Sequence, residues 1–125
     1  MIRRIKLYGT TDSGGDLTVE SKLPVAGLLR SIQWIDGDFA DGVDAVISFM
    51  ARGPGDEHTV LTLTDANVDA WYHPGSAVDD NAGVNASFNG TQIVYTLTVI
   101  DGLLKLVVSD GGSGKTGGCI VYIEQ

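Results

Sequence analysis

Apolar and polar residues alternate in short stretches along nearly the whole chain, and clusters of Gly, Asp, Asn and Pro separate the stretches. A period of two marks a strand with one buried face, because successive side chains point to opposite sides of a sheet. Ile5 and Leu7 alternate with Lys6 and Tyr8 in a first strand, which ends in a turn cluster from Gly9 to Gly15. Leu17 and Val19 alternate with Thr18 and Glu20 in a second, which stops before Pro24. A third is expected from Leu28 to Ile35, with Leu28, Ile32 and Trp34 on one face and Arg30 interrupting the apolar pattern. The fourth, Val43 to Met50, sets Val43, Ala45, Ile47 and Phe49 against Asp44 and Ser48.

Arg52-Gly53-Pro54-Gly55-Asp56 reads as a turn, since Gly and Pro stop strand pairing and permit sharp reversal. A β-branched fifth strand follows from Thr59 to Thr64, and a sixth is expected from Thr91 to Ile100. Asp101-Gly102 suits a two-residue hairpin turn with positive φ, which would join the sixth strand to a seventh, Leu103 to Ser109. Cys119 to Ile123 forms the eighth.

Residues 65–90 interrupt the pattern with a stretch rich in Asp, Asn, Ala and Gly that contains Trp71-Tyr72-His73-Pro74 and has room for a helical turn. Structureless loops beyond about 12 to 15 residues are uncommon in compact domains and are often functional. Trp and Tyr join a large apolar area to a polar handle, so Trp71, Tyr72 and His73 are the first candidates for an interaction surface. The alternative is that Trp71 plugs one end of the core.

Length and composition narrow the reading. A chain of 125 residues fits one domain, residues 1–125, able to bury roughly two-thirds of its unfolded surface without disulfides or metal. The formal charge is −8. Residues 1–30 nevertheless hold five basic and three acidic side chains, so the first strand, with Arg3 and Arg4, could dock on an acidic surface while the body stays solvated. This balance argues against nucleic acid as a partner, because phosphate binding needs a basic footprint. The single cysteine, Cys119, forms no intrachain disulfide and sits among apolar residues as a small core hydrophobe. No run reaches membrane-spanning length, and the basic start has no apolar signal core behind it, which points to synthesis in a cytoplasm and no membrane partner.

The chemical motifs are weak. Ser113-Gly114-Lys115-Thr116 resembles part of a phosphate-binding loop, but Ser109 stands at the first glycine position and a β-rich segment follows where a helix is required. Asp36, Asp38 and Asp41 offer oxygens for calcium; their loop lacks EF-hand spacing and helices, and Asp side chains also bond neighbouring backbone amides in ordinary turns. There is no Cys or His cluster for zinc, and no catalytic constellation or cofactor is indicated.

These features predict an all-β fold: an antiparallel β-sandwich of about eight strands with jelly-roll or Greek-key connections. Exposed sheet edges favour a homo-oligomer, a trimer or dimer. The run Ile32 to Ala45, with Leu104-Lys105-Leu106-Val107-Val108 and Gly117-Gly118-Cys119-Ile120-Val121-Tyr122, resembles small virion proteins of tailed bacteriophages, of the head decoration or cement type. The resemblance implies a non-enzymatic structural protein, made in the host bacterial cytoplasm and located in the virion, that binds the major capsid protein or another virion protein and stabilises the shell. An alternative is a glycan- or receptor-binding sandwich of a tail or spike, with Trp71 and Tyr72 stacking on sugar rings.

Overall fold

The computed structural model describes residues 1–52 and 55–125. Gly53 and Pro54, at the centre of the expected 52–56 turn, lie outside the described residues. The described chain is all-β. Its strands are β1 (Ile2–Thr10), β2 (Leu17–Glu20), β3 (Val25–Ile35), β4 (Asp44–Met50), β5 (Glu57–Leu63), β6 (Ala70–Tyr72), β7 (Gly75–Ala77), β8 (Tyr95–Leu97), β9 (Val99–Ser109) and β10 (Thr116–Glu124).

Pairing is antiparallel throughout and forms two four-stranded layers. One runs β1-β10-β3-β6 and the other β2-β9-β4-β5. The chain crosses from layer to layer at most connections, which is the jelly-roll arrangement of two interlocked Greek keys. The layers stay continuous at one corner, where Val25 to Leu28 of β3 pair with Val99 to Gly102 of β9. Strands that change sheets do so at bends, and both strands bend here at a glycine with positive φ, Gly27 at 153° and Gly102 at 138°. The pair β7-β8 forms a separate small sheet inserted between β6 and β9.

One apolar cluster fills the space between the layers. Ile5, Leu7, Leu29, Ile32, Trp34, Val121 and Ile123 meet Ala45, Ile47, Leu63, Leu104, Leu106 and Val108 in it. Trp34 is fully buried, stacks on Phe39 at 5.7 Å between ring centroids, and donates its indole N–H to the Ala66 carbonyl at 3.0 Å. Cys119 lies in the same core, and burial pushes its thiol up to about 12.

Four expectations need correction. The apolar face of the third strand is Val25, Leu29, Ile32 and Trp34, while Leu28 is exposed. The cause is a β-bulge: Tyr122 faces Ser31 but Ile123 faces Leu29, so Arg30 is an extra residue that shifts the phase by one. Asp101-Gly102 makes no hairpin; β9 continues through it without reversing, and Gly102 serves the corner between sheets. The expected sixth strand is broken, since only Tyr95–Leu97 forms β8 and Val99 already begins β9. The 65–90 stretch contains β6 and β7 and, among the described residues, no helical turn.

Candidate functional site

Outward positions of the β1-β10-β3-β6 layer build a mixed aromatic and basic face. Lys6, Ile120, Gln33 and Trp71 stand directly opposite one another across its four strands. Arg4 pairs with Tyr122 in the neighbouring row. The Trp71 ring lies 5.3 Å from that of Tyr122, and the Tyr122 hydroxyl donates to Gln33 Oε1 at 3.2 Å. Lys6 Nζ sits 4.6 Å from the centre of the Tyr8 ring. Aromatic rings with a satisfied hydroxyl and a cation over a π-face are rigid, partly apolar contact groups. Arg30 also emerges here, held by Glu124 at 3.1 Å. The face therefore carries Arg4, Lys6 and Arg30 against the single carboxylate of Glu124, on a chain whose net charge is −8.

The sequence candidates separate. Strand β6 alternates, so Trp71 points out and is 54% exposed, while Tyr72 turns inward and packs against the core. Trp71, Tyr72 and His73 therefore form no single platform; His73 instead lines an open groove of about 520 Å³ with Pro74 and Tyr95. Arg3 and Arg4 likewise diverge: Arg4 shares the outward phase of Lys6 and Tyr8, whereas Arg3 shares the phase of Ile5 and Leu7 and is exposed at the open end of the strand. Tyr122, Ile120 and Gln33 escaped sequence reading because nothing local distinguishes them. Their signal is the outward phase of the last strand and the third, but that these strands lie beside one another and beside β6 is visible only in the fold.

At one end of the sandwich, four loops are laced together. Thr11 N–H donates to the Lys115 carbonyl, Ala40 N–H to Gly111, and Ala66 N–H to Val43. Aspartates complete the lacing as acceptors: Asp38 Oδ1 takes the Thr116 N–H at 2.5 Å, Asp69 Oδ1 that of Asp36 at 2.8 Å, and Asp44 Oδ1 that of Asp65 at 3.0 Å. Asp38 and Asp41 lie near enough to Asp36 to act on it by charge, but among the described residues no group of three or more His, Cys, Asp or Glu is placed to hold a metal ion. The Ser113 to Thr116 loop is part of the same lacing. The Lys115 N–H donates to Thr11 Oγ1 at 2.9 Å, the Thr116 N–H goes to Asp38, and strand β10 begins there, so these two amides are already used within the protein and a strand stands where a helix is required.

Asp36 Oδ1 is buried without a hydrogen-bond partner. Burial first, and then the carboxylates of Asp69, Asp41 and Asp38, hold its carboxyl above the usual range. A carboxyl with a raised folded pKa stabilises the fold below its unfolded value, and that contribution is lost as pH rises through the folded value. Asp36→Asn is therefore expected to raise the urea midpoint at neutral pH, with the gain shrinking as the solution is acidified. A lower midpoint at neutral pH would show that the charge is favourably held.

No family model matches the chain, and no curated protein does. Among solved structures, it is similar to the infectious bursal disease virus VP2 subviral particle, with 13% identity, a TM-score of 0.29, and coverage of 98% of this chain and 32% of that one. The Gx strain of the same virus gives 12% identity and a TM-score of 0.29, with coverage of 98% of this chain and 31% of that one. The chain thus spans about a third of the length of the chains it is similar to.

Proposed function

We propose that this protein is a non-enzymatic structural component of a tailed-phage virion, which docks on the capsid as a small homo-oligomer and reinforces the shell. The observation that carries the reading is the outward face of the β1-β10-β3-β6 layer. It joins exposed Trp71 and half-buried Tyr122 and Ile120 to Arg4 and Lys6 on an otherwise acidic molecule. Interface cores are enriched in aromatic residues, and a positive face on an acidic body selects a partner with an acidic patch and orients the approach. Jelly rolls serve in viral capsids and in lectins, so the fold permits this role without dictating it. Several modest contacts made at once by an oligomer would give firm attachment through avidity.

The test is size exclusion with light scattering, run with assembled, undecorated phage capsids. The wild-type protein is expected to elute with the capsids. The double variant Arg4→Glu, Lys6→Glu should bind at least about tenfold more weakly at low salt, with the gap closing as ionic strength rises. A protein that ignores capsids sinks the reading and directs work to a glycan array.

A further inference from the structure

We propose that the open edge of β1 is a docking site for an extended acidic segment of a partner protein, which adds to the β1-β10-β3-β6 layer as a further strand. The inference deepens the docking part of the reading above, and rests on it for the partner's being a virion protein.

The first observation is the phase of the backbone. Strand β1 ends its layer and, among the described residues, pairs in a ladder with β10 alone. In an antiparallel ladder, pairs that exchange N–H···O=C bonds alternate with pairs that do not. At one end of β1 the Gln125 N–H donates to the Met1 carbonyl at 2.9 Å, and just past the other the Thr11 N–H donates to the Lys115 carbonyl at 2.8 Å. Both bonds put Arg3, Ile5, Leu7 and Gly9 in the phase that is bonded to β10. The N–H and C=O groups of Ile2, Arg4, Lys6 and Tyr8 therefore point to the open side, as a row of donors and acceptors that an extended chain can complete.

The second observation is charge. Arg4, Lys6 and Tyr8 are exposed on the outer face while Ile5 and Leu7 are buried, and β1 holds Arg3, Arg4 and Lys6 with no carboxylate. The neighbouring acids are engaged or turned away. Glu124, opposite Ile2, is held by Arg30, and Asp12 accepts the amides of Gly14 and Asp16. Glu20 alternates with the core-packed Leu17 and Val19, which puts it on the outer face of the other layer. Exposed charges are screened beyond about 8 Å at physiological salt, so these local cations, and not the net charge of −8, decide what the edge attracts.

The third observation selects the occupant. Residues opposite one another across a ladder lie on the same side of the sheet, where opposite charges attract and like charges destabilise. A second copy paired antiparallel along the whole of β1 would set Lys6 against Lys6, so the edge disfavours its own kind. A strand with Asp or Glu at alternate positions sets its carboxylates against Arg4 and Lys6. Its intervening side chains turn inward, toward the side where Leu17 and Val19 of β2 lie under Gly9; a Cβ at Gly9 would stand 3.0 Å from Leu17 Cδ1 and 3.5 Å from Val19 Cγ2. Apolar residues suit those positions.

The probe is a fluorescein-labelled peptide of alternating glutamate and valine, long enough to span β1, titrated into the full chain and followed by anisotropy. Saturable binding is expected. The same peptide N-methylated at its glutamate amides keeps every charge but cannot pair, and should bind at least about tenfold more weakly, as should wild-type peptide to Arg4→Glu, Lys6→Glu. Hydrogen exchange followed by nuclear magnetic resonance reads the edge directly: the Arg4, Lys6 and Tyr8 amides should exchange quickly in the free protein and slowly with peptide, while those of Ile5 and Leu7 are slow in both. No saturable binding, equal binding of the N-methylated peptide, or unchanged exchange at Arg4, Lys6 and Tyr8 overturns the proposal. Capsid co-elution is read separately. A protein that takes the peptide but ignores capsids keeps this site and discards the capsid role, and one that elutes with capsids but takes no peptide keeps that role and loses the site.

Discussion

Replacing Trp34 by alanine is expected to lower the unfolding free energy by about 3 to 5 kcal/mol, a large share of the roughly 5 to 15 kcal/mol that a domain typically has. Three losses coincide at this position. The ring is fully buried between the layers, so its removal leaves a cavity that flanking strands, fixed by their ladders, can close only in part. Its stack on Phe39 tethers the β3–β4 loop to the core. Its indole N–H is the partner of the Ala66 carbonyl, so the deletion strands a buried acceptor in the β5–β6 loop. Trp34→Phe keeps most of the apolar volume and loses the donor, and should cost about 1 to 3 kcal/mol. Urea unfolding followed by circular dichroism measures both. In the alanine variant Trp71 is the one remaining tryptophan, so its fluorescence reports whether the outward face survives. A midpoint for Trp34→Ala close to wild type would mean that Trp34 is not the centre of this core.

The alternation of Val43, Ala45 and Ile47 marked the buried face of β4 as far as Ile47; beyond it Ser48 and Met50 are buried and Phe49, expected inside, is half-buried, because the register against β5 shifts between Ile47 and Ser48. Where an extra residue enters a strand, period two fails, and Leu28 was assigned the place that Leu29 holds. Asp101-Gly102 has the composition of a turn, yet the same positive φ that suits a turn also suits a corner where one strand changes sheets. Local chemistry does not distinguish the two, since the difference lies in which distant strand is waiting to pair. The candidate site was legible as residue types and not as an arrangement. Trp71 and Arg4 come to one face through two intervening strands, while Tyr72 and Arg3, their chain neighbours, turn the other way.

Gly102→Val is expected to be among the most damaging substitutions outside the core side chains. At φ 138° a residue with a Cβ is strained, and a β-branched one more so. Space adds a second penalty. A Cβ at Gly102 would run into the Met50 carbonyl group and come within 3.0 Å of the Ala51 Cα, and these are backbone atoms that no rotamer change can move. Strain of about 1 to 3 kcal/mol and overpacking of a similar size act together at the one place where β9 passes from β3 to β4. The milder Gly102→Ala carries the same steric contact and should lower the urea midpoint sharply even where the valine variant fails to fold. Gly114→Ala isolates the conformational part, because Gly114 has φ 65° with no atom within 4 Å of the added carbon. It should cost only about 1 to 2 kcal/mol. If Gly102→Ala unfolds no earlier than Gly114→Ala, the two sheets do not share this corner.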